Sequence, residues 1–289
     1  MKRENIAKGM MAMAMFIFGT IAPFVRKMNV SSGEVALYRA VLAAILVGGF
    51  LFITKQKLSG ENIKKDLLLL LASGAAMGIN WILLFEAYKY TTVAVATLSY
   101  YFAPVIVLIV CPLLFKEKMT RKQILCFVMA TAGLVLITGT AGGGKKDLLG
   151  IALGLGAAMF YATVMVLNKF IKGVAGLQRT FIQFLSAIVV LVPYVLLTSG
   201  FTLGGLNKVG WTALLIVGLV HTGINYCLYF SALKELPGQK VAILSYIDPL
   251  TAVLVSVLWM DERMKGPQII GGLLILGFTF WGEITEKSE

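Results

Sequence analysis

The sequence predicts an all-α polytopic membrane protein in which ten transmembrane helices form two inverted five-helix repeats. Three observations support this prediction: the composition, the recurrence of long apolar stretches, and an internal repeat. Of the 289 residues, 58% are hydrophobic and 14% are charged, whereas soluble domains average about 45–50% apolar and about 25% charged residues. The mean hydropathy of +0.87 agrees with this difference. The composition therefore indicates a membrane protein.

Apolar stretches recur along the whole chain. Each has about 17–24 residues, close to the roughly 20 that cross a hydrocarbon core about 30 Å thick. Polar segments with turn-forming residues separate them, for example 54–66, 141–147 and 198–210. The first stretch has no convincing signal-peptide cleavage site after it. The predicted spans are 9–25, 34–53, 67–87, 92–115, 123–140, 148–168, 180–198, 211–231, 240–259 and 268–284.

The distribution of Lys and Arg predicts the orientation. With a cytoplasmic N-terminus, the inner connections hold 17 of these residues and the outer connections hold 8. Basic loops stay on the cytoplasmic side, so this count predicts that both termini are cytoplasmic in a multi-pass protein of the cytoplasmic (inner) cell membrane. Basic loops that face anionic lipids also account for the net charge of +12. Nucleic-acid binding is not needed to explain it.

The cysteines and the single histidine exclude several classes of function. Cys111, Cys126 and Cys227 all lie within predicted spans, which argues against a disulfide framework. His221 is the only histidine, and the chain has neither a CxxC nor an HExxH motif. We therefore expect no metal site, no cofactor and no enzymatic activity.

An internal repeat divides the chain into residues 1–144 and 145–289. The stretch "GINW" at 78–81 recurs as "GINY" at 223–226, and "ATLSYYFAP" at 96–104 recurs as "AILSYIDP" at 242–249. Five spans in each copy is an odd number, so the second copy must enter the membrane inverted. The loop "KEKMTRK" (116–122) is basic on the predicted inside, whereas its counterpart "DERMKGP" (261–267) is neutral on the predicted outside. Inverted repeats are typical of secondary transporters.

The chain resembles the EamA type of the drug/metabolite transporter superfamily over almost its whole length. The resemblance is carried by "YRAVLAAIL" (38–46), "NWILLFEAYKYTTVAVATL" (80–98) and the stretch 225–254. It is also carried by a proline and a glutamate that both copies share, Pro104 with Pro249 and Glu117 with Glu262. The resemblance implies a central cavity lined mainly by spans 1, 3, 4, 6, 8 and 9, and transport of amino acids, other metabolites or drugs, often outward.

Polar residues near the middle of the third and eighth spans are candidate substrate-binding residues. Asn80 and Asn225 are repeat equivalents, and both lie about 20 Å into their spans at 1.5 Å per residue. The alternative is that their amides bond neighbouring helices. The candidates in these two spans are Asn80, Trp81, His221, Asn225, Tyr226 and Tyr229.

Asp248 is the strongest single candidate. It lies near the middle of the ninth span, where a carboxylate costs on the order of 3 kcal/mol and usually marks a solute or ion pathway. Pro249 removes a backbone donor and tends to open the helix beside it. We expect a site for a substrate ammonium group or a coupling proton. The alternative is a protonated Asp248 bonded within the bundle or paired with a lysine such as Lys240.

Arg39 and Glu86 form a possible external gate pair. Both lie near the outer ends of their spans, and their repeat counterparts, Gln183 and Ser231, have both lost the charge. The alternative is an Arg39 side chain that extends to the membrane surface.

Hydroxyl and aromatic side chains on spans four, six and nine complete the predicted site. They suit an amphiphilic solute through stacking or cation–π contacts, although aromatic residues also fill ordinary membrane cores. Gly74 with Gly78 and Gly150 with Gly154 have the spacing of close helix contacts. The predicted binding residues among these side chains are Ser99, Tyr100, Tyr161 and Tyr246, and Tyr101 and Ser245 are their neighbours.

The predicted function is secondary transport of a small organic solute by alternating access. An amino acid or a related amphiphilic metabolite, moved outward, is the favoured solute, and the lipid bilayer and protons are the other expected partners. The alternatives are a multidrug exporter and a channel-like facilitator. Saturable exchange of solute argues against a channel.

Overall fold

The computed structural model describes residues 2–55, 60–115, 119–139, 144–174, 176–236 and 238–285. Within these ranges every regular element is a helix. Eight helical segments have the length and hydropathy to cross a membrane, and the apolar helices Ile243–Trp259 and Gly266–Gly282 are shorter. The all-α polytopic class is therefore confirmed. Ten spans and their inversion stay predictions.

The helices cover the predicted spans, although their ends differ from the predicted boundaries. We number them α1 (Lys2–Gly19), α2 (Ile21–Arg26), α3 (Ser32–Ile53), α4 (Gly60–Tyr90), α5 (Val93–Tyr100), α6 (Ala103–Phe115), α7 (Arg121–Gly139), α8 (Lys145–Phe170), α9 (Gly176–Thr198), α10 (Lys208–Leu215), α11 (Asn225–Leu233), α12 (Gly238–Ser245), α13 (Ile247–Leu254) and α14 (Gly266–Thr285). A short 3₁₀ helix spans Leu203–Gly205, and π-helical segments span Ile216–Ile224 and Val255–Trp259. The first π segment joins α10 to α11, and the second extends α13.

Three of the predicted spans are interrupted. The first breaks at Thr20, between α1 and α2, where the Thr20 hydroxyl donates to the carbonyl oxygen of Ile17 over 2.8 Å. The fourth breaks between α5 and α6, and the ninth breaks at Tyr246, between α12 and α13. All three breaks precede a proline, Pro23, Pro104 or Pro249, which has no backbone N–H to donate to the preceding turn. The prediction that Pro249 opens its helix is confirmed.

Helix packing shows a correspondence between the two predicted halves. α4 packs on α8, and α11 packs on α1; α5 packs on α8, and α12 packs on α1. α4 also packs on α9, while the first π segment packs on α3. Exchanging the halves converts each contact into its partner. α7 and α14 are equivalent helices of the two halves, as are α3 and α9, so exchanging the halves leaves the α7–α14 and α3–α9 contacts unchanged.

Small residues allow several of these close approaches. A Cβ added at Gly74 would lie 2.5 Å from the carbonyl oxygen of Gln183, and one at Gly150 would lie 2.7 Å from Cγ2 of Thr91. Added Cβ atoms at Gly78 and Gly154 would lie 3.3 Å and 3.0 Å from the neighbouring helices. The predicted role of these four glycines in helix contacts is confirmed.

Candidate functional site

Asp248 lies in the first turn of α13, immediately after the break at Tyr246. Its carboxylate accepts a hydrogen bond from the Tyr101 hydroxyl, which comes from the break between α5 and α6 in the first half of the chain. Among the described residues no Lys, Arg or His forms an ion pair with it. Lys240 contacts Glu4 instead. The positive end of α13 partly compensates the carboxylate charge.

The break in the first span meets the break in the ninth. Gly19, the last residue of α1, lies so close to α13 that an added Cβ would be 2.6 Å from the carbonyl oxygen of Asp248. The same Cβ would be 2.5 Å from Cβ of Thr251. Thr20 Oγ1 lies 3.1 Å from Nε2 of His221 in the first π segment. The breaks of spans one and nine and the π segment of span eight therefore meet beside Asp248.

The paired asparagines each bind a helix of the other half. Asn80, which is 2% exposed, donates from Nδ2 to the carbonyl oxygen of Ala157 over 2.6 Å. Asn225, which is fully buried, donates from Nδ2 to the carbonyl oxygen of Ala14 over 2.9 Å. Its Oδ1 has no hydrogen-bond partner among the described residues. The two Nδ2 groups therefore join the two halves of the chain.

Arg39 is buried, with 4% of its surface exposed. Its Nε donates to Thr222 Oγ1 over 3.1 Å. The guanidinium carbon lies 4.3 Å from the ring centre of Trp81 and 5.3 Å from that of Phe85. Arg39 therefore does not extend to the membrane surface, because the rings of α4 and the π segment hold it inside the bundle.

The predicted gate pair is not formed in this structure. Glu86 accepts a hydrogen bond from Ser32 over 2.6 Å and pairs with Lys89 at 3.0 Å. Arg39 contacts Trp81 rather than Glu86. The two residues lie in spans two and three, as predicted, but their side chains have different neighbours.

The remaining predicted side chains belong to two aromatic groups and to helix contacts. Tyr100 stacks on Tyr161 with ring centres 5.2 Å apart, and Tyr226 meets Phe184 edge-on at 5.3 Å. Ser99 donates to the carbonyl oxygen of Val95 in its own helix.

Three further predicted residues each contact a phenylalanine ring. Tyr229 meets Phe230 with ring centres 5.0 Å apart, and Tyr246 meets Phe280 at 4.9 Å. His221 lies 5.1 Å from Phe24.

Tyrosines connect the surroundings of Arg39 and Asp248. Tyr88 and Tyr226 are each within electrostatic range of both charged groups. Tyr100 is likewise within range of both. We call Arg39, Tyr88, Tyr100, Tyr226 and Asp248 the interior polar cluster. It combines the buried cation of Arg39 and the half-buried carboxylate of Asp248, which come from different halves of the chain.

A vestibule of about 800 Å³ lies at the end of the bundle formed by α2, the start of α3 and the end of α4. Its lining includes Tyr88, a member of the interior polar cluster, and Phe85, which covers the Arg39 guanidinium. Three charged residues that were not predicted from the sequence, Arg26, Glu34 and Lys89, also line it.

Glu34 and Glu262 organise this end of the bundle. Glu34 is fully buried, forms a capping box with Ser31 and accepts hydrogen bonds from the backbone N–H and hydroxyl of Thr202. Glu262 pairs with Arg26 at 2.5 Å and accepts from the backbone N–H of Val93. The Ser-x-x-Glu spacing of Ser31 and Glu34 is the sequence signature of this capping box at the start of α3. Glu117, the repeat equivalent of Glu262, lies outside the described residues.

The described residues contain no group of three or more His, Cys, Asp or Glu side chains arranged to hold a metal ion. Cys111, Cys126 and Cys227 are free thiols. We find no other donor set in the described part of the chain that points to a resident cofactor.

Apolar helices interrupted beside buried charged groups define a multi-pass membrane protein of the transporter class. The chain belongs to the EamA-like transporter family, whose profile matches residues 6–139 and again residues 148–281. This membership implies a small-molecule solute and a membrane location.

The relatives are also named as transporters. The "Uncharacterized transporter YxxF" of Bacillus subtilis is 28% identical over 277 residues, which cover 95% of this chain and 88% of that protein. An "Uncharacterized transporter" of Archaeoglobus fulgidus is 31% identical over 66% of this chain and 67% of its own. The "Probable amino-acid metabolite efflux pump" of Escherichia coli is 28% identical over 56% of this chain and 58% of its own.

A solved crystal structure has the same fold, with a TM-score of 0.66 at 15% identity. The similarity covers 97% of both chains.

Proposed function

We propose that the protein is a secondary transporter that exports a small organic solute, an amino acid or a related amphiphilic metabolite, across the cytoplasmic membrane. The observation that carries this proposal is Asp248, a half-buried carboxylate at a helix break whose one described side-chain hydrogen bond comes from Tyr101. Isolated charged groups within a membrane bundle mark solute or ion pathways. Asp248 binds the ammonium group of the solute or a coupling proton.

The proposed mechanism is alternating access by two inverted halves, residues 1–144 and 145–289. It is supported by the two matches to the family profile and by the exchange symmetry of the helix contacts. Interrupted helices at the interface of such halves are the usual place for a transported solute. The breaks beside Asp248 and Tyr101 provide positions where the two halves bend.

The proposed orientation has both termini in the cytoplasm. It follows from the excess of Lys and Arg in the connections assigned to the inside. In this orientation the vestibule of about 800 Å³ opens to the outside. Export then ends with release of solute past Phe85 and Tyr88 into the vestibule.

An amino acid is proposed as the solute because the interior polar cluster contains a cation, a carboxylate and aromatic rings. The name of the Escherichia coli relative, a probable amino-acid metabolite efflux pump, supports the same class. Trp81, Tyr100 and Tyr226 supply ring faces for a side chain of the solute.

The first experiment is uptake of labelled amino acids into proteoliposomes at two pH values. Wild type is compared with Asp248→Asn, which preserves size but removes the charge. We expect saturable uptake by wild type and an uptake about 10–100-fold lower in the variant. This factor corresponds to the loss of one hydrogen bond to a charged group.

Asp261→Asn is the matched control. Asp261 is exposed and has a φ of 55°, a backbone conformation that asparagine tolerates well. It should transport like wild type. Equal uptake by Asp248→Asn and wild type would show that Asp248 is structural. Ion currents without saturation would support a channel, and uptake of structurally unrelated cations would support a multidrug exporter.

A further inference from the structure

Arg39 is a buried cation to which the described structure assigns no carboxylate. The ion pairs among the described residues join Glu4 with Lys8 and Lys240, Arg26 with Glu262, and Lys89 with Glu86. Arg39 takes part in none of them, although only 4% of its surface is exposed. The predicted partner, Glu86, is already used by Lys89 and Ser32.

The guanidinium group is held on one edge and on its face. Nε donates to Thr222 Oγ1, and the Thr222 hydroxyl in turn donates to the carbonyl oxygen of Val217 over 2.8 Å. Trp81 and Phe85 cover the guanidinium at 4.3 Å and 5.3 Å. The two terminal nitrogens, Nη1 and Nη2, make no hydrogen bond to any described residue. These donors form the edge that pairs with a carboxylate in two parallel hydrogen bonds.

The contacts of Arg39 offset only part of the cost of burying its charge. Cation–π contacts are weaker than the desolvation penalty of an ion taken into a bundle of apolar helices. A buried charge that keeps free donors is best satisfied by an anion from outside the fold. Phe85 both covers Arg39 and lines the vestibule, so the guanidinium lies one aromatic ring away from a cavity that a solute can occupy.

We propose that Arg39 binds a carboxylate group of the transported solute through Nη1 and Nη2. This proposal rests on the proposed transport function, and it assigns Arg39 to solute binding rather than to an external gate. A single guanidinium charge matches a carboxylate better than it matches a phosphate monoester, which carries nearly two charges. Asp248, within range of the same tyrosines, remains available for the positive end of a dipolar solute.

The test is thermal unfolding of the full-length protein in detergent. Each natural amino acid is added at millimolar concentration beside its methyl ester, which keeps the ammonium group but removes the carboxylate charge. We expect at least one free acid to raise the melting temperature of wild type, and its ester to leave it unchanged. Arg39→Met should weaken binding of that acid by roughly 30-fold or more, the usual result of removing one partner of a buried charge pair.

Two further variants separate binding from structure. Lys122→Met is the control, because Lys122 also lies over a tryptophan ring, that of Trp281 at 4.7 Å, but on an exposed part of α7. It should keep the full response to the acid. Arg39→Lys retains the charge without the planar edge and should give an intermediate affinity. Without solute, Arg39→Met should be at least as stable as wild type, because it removes an uncompensated buried charge.

Three results would overturn the proposal: equal shifts with acid and ester, an undiminished shift in Arg39→Met, or no shift of wild type with any acid. Each is distinguishable from failure of the proposed transport function. Proteoliposomes that export the esters as rapidly as the acids would retain the transporter and remove the role of Arg39. Proteoliposomes that export neither would remove both.

Discussion

Replacement of Gly19 by alanine tests the contact between the two interrupted helices beside Asp248. The added Cβ would lie 2.5 Å from Cβ of Thr251 and 2.6 Å from the carbonyl oxygen of Asp248. Carbon atoms in normal contact are about 3.5–4.0 Å apart, so α1 and α13 must separate by about 1 Å. Neither neighbouring atom can rotate away. Overpacking of this kind costs about 1–3 kcal/mol.

Gly9→Ala in the same helix is the control for this prediction. An added Cβ at Gly9 meets nothing within 4 Å, so the change should stabilise α1 by up to about 1 kcal/mol through helix propensity. At about 2–4 °C per kcal/mol, the melting temperature of Gly19→Ala should lie roughly 2–16 °C below that of Gly9→Ala. Solute uptake should also fall, because the backbone of Asp248 moves. Equal melting temperatures and equal uptake in the two variants would refute the close contact.

Three other substitutions test the vestibule and the helix contacts. Glu262→Gln should lower the free energy of unfolding by about 1–3 kcal/mol, because it leaves Arg26 without its counter-charge; additivity with Arg26→Gln in a double-mutant cycle would argue against the pair. Asn80→Leu should cost about 0.5–2 kcal/mol through its lost interhelical bond, whereas weaker solute binding at unchanged stability would indicate direct solute contact instead. Phe85→Ala should open the vestibule toward Arg39 and raise passive leak of solute from loaded proteoliposomes. It should also lower the free energy of unfolding by about 3–5 kcal/mol. A destabilised variant without leak would contradict the role of this ring as a boundary between the vestibule and Arg39.

Hydropathy located the helices better than it located their ends. The third span was predicted over 67–87, whereas α4 spans Gly60–Tyr90. The additional residues include the charged stretch from Lys64 to Asp66, which no lipid-facing segment would contain. Hydropathy reports the part of a helix that lies in hydrocarbon, while backbone hydrogen bonding continues into water. The predicted boundaries therefore mark the apolar part of each helix.

The breaks were predictable where proline causes them. Pro104 and Pro249 remove backbone donors, and the helices open just before them. The break at Thr20 follows the same rule, because Pro23 lies three residues after it. The π-helical segment Ile216–Ile224 contains no proline. Thr222 donates to the carbonyl oxygen five residues earlier, a contact that requires the π geometry already to be present. Such features depend on packing between helices and are not determined by the residues of one turn.

The pairing of Arg39 with Glu86 illustrates a limit of reasoning from internal repeats. Both charges are lost together in the second half, at Gln183 and Ser231, and joint loss suggested direct contact. In the structure Gln183 donates to Ser73 and Asn168, so this position also makes polar contacts without a charge. The loss of both charges in the second half therefore reflects the separate surroundings of the two side chains and not a direct contact between them. The partner of Arg39 depends on how α3 is rotated against α4, which composition does not determine.

The buried polar groups of this protein differ in how far the fold itself satisfies them. The amide donors of Asn80 and Asn225 bind backbone carbonyls of the opposite half, so their main energetic role can be fulfilled without a solute. Asp248 and Arg39 have a hydrogen bond each, to Tyr101 and Thr222, but neither has an opposite charge beside it among the described residues. Retaining two charges without a counter-charge inside a bundle lowers stability. That cost agrees with the proposal that a solute with the complementary charges binds Arg39 and Asp248, whereas the asparagines can fulfil a structural role without a solute.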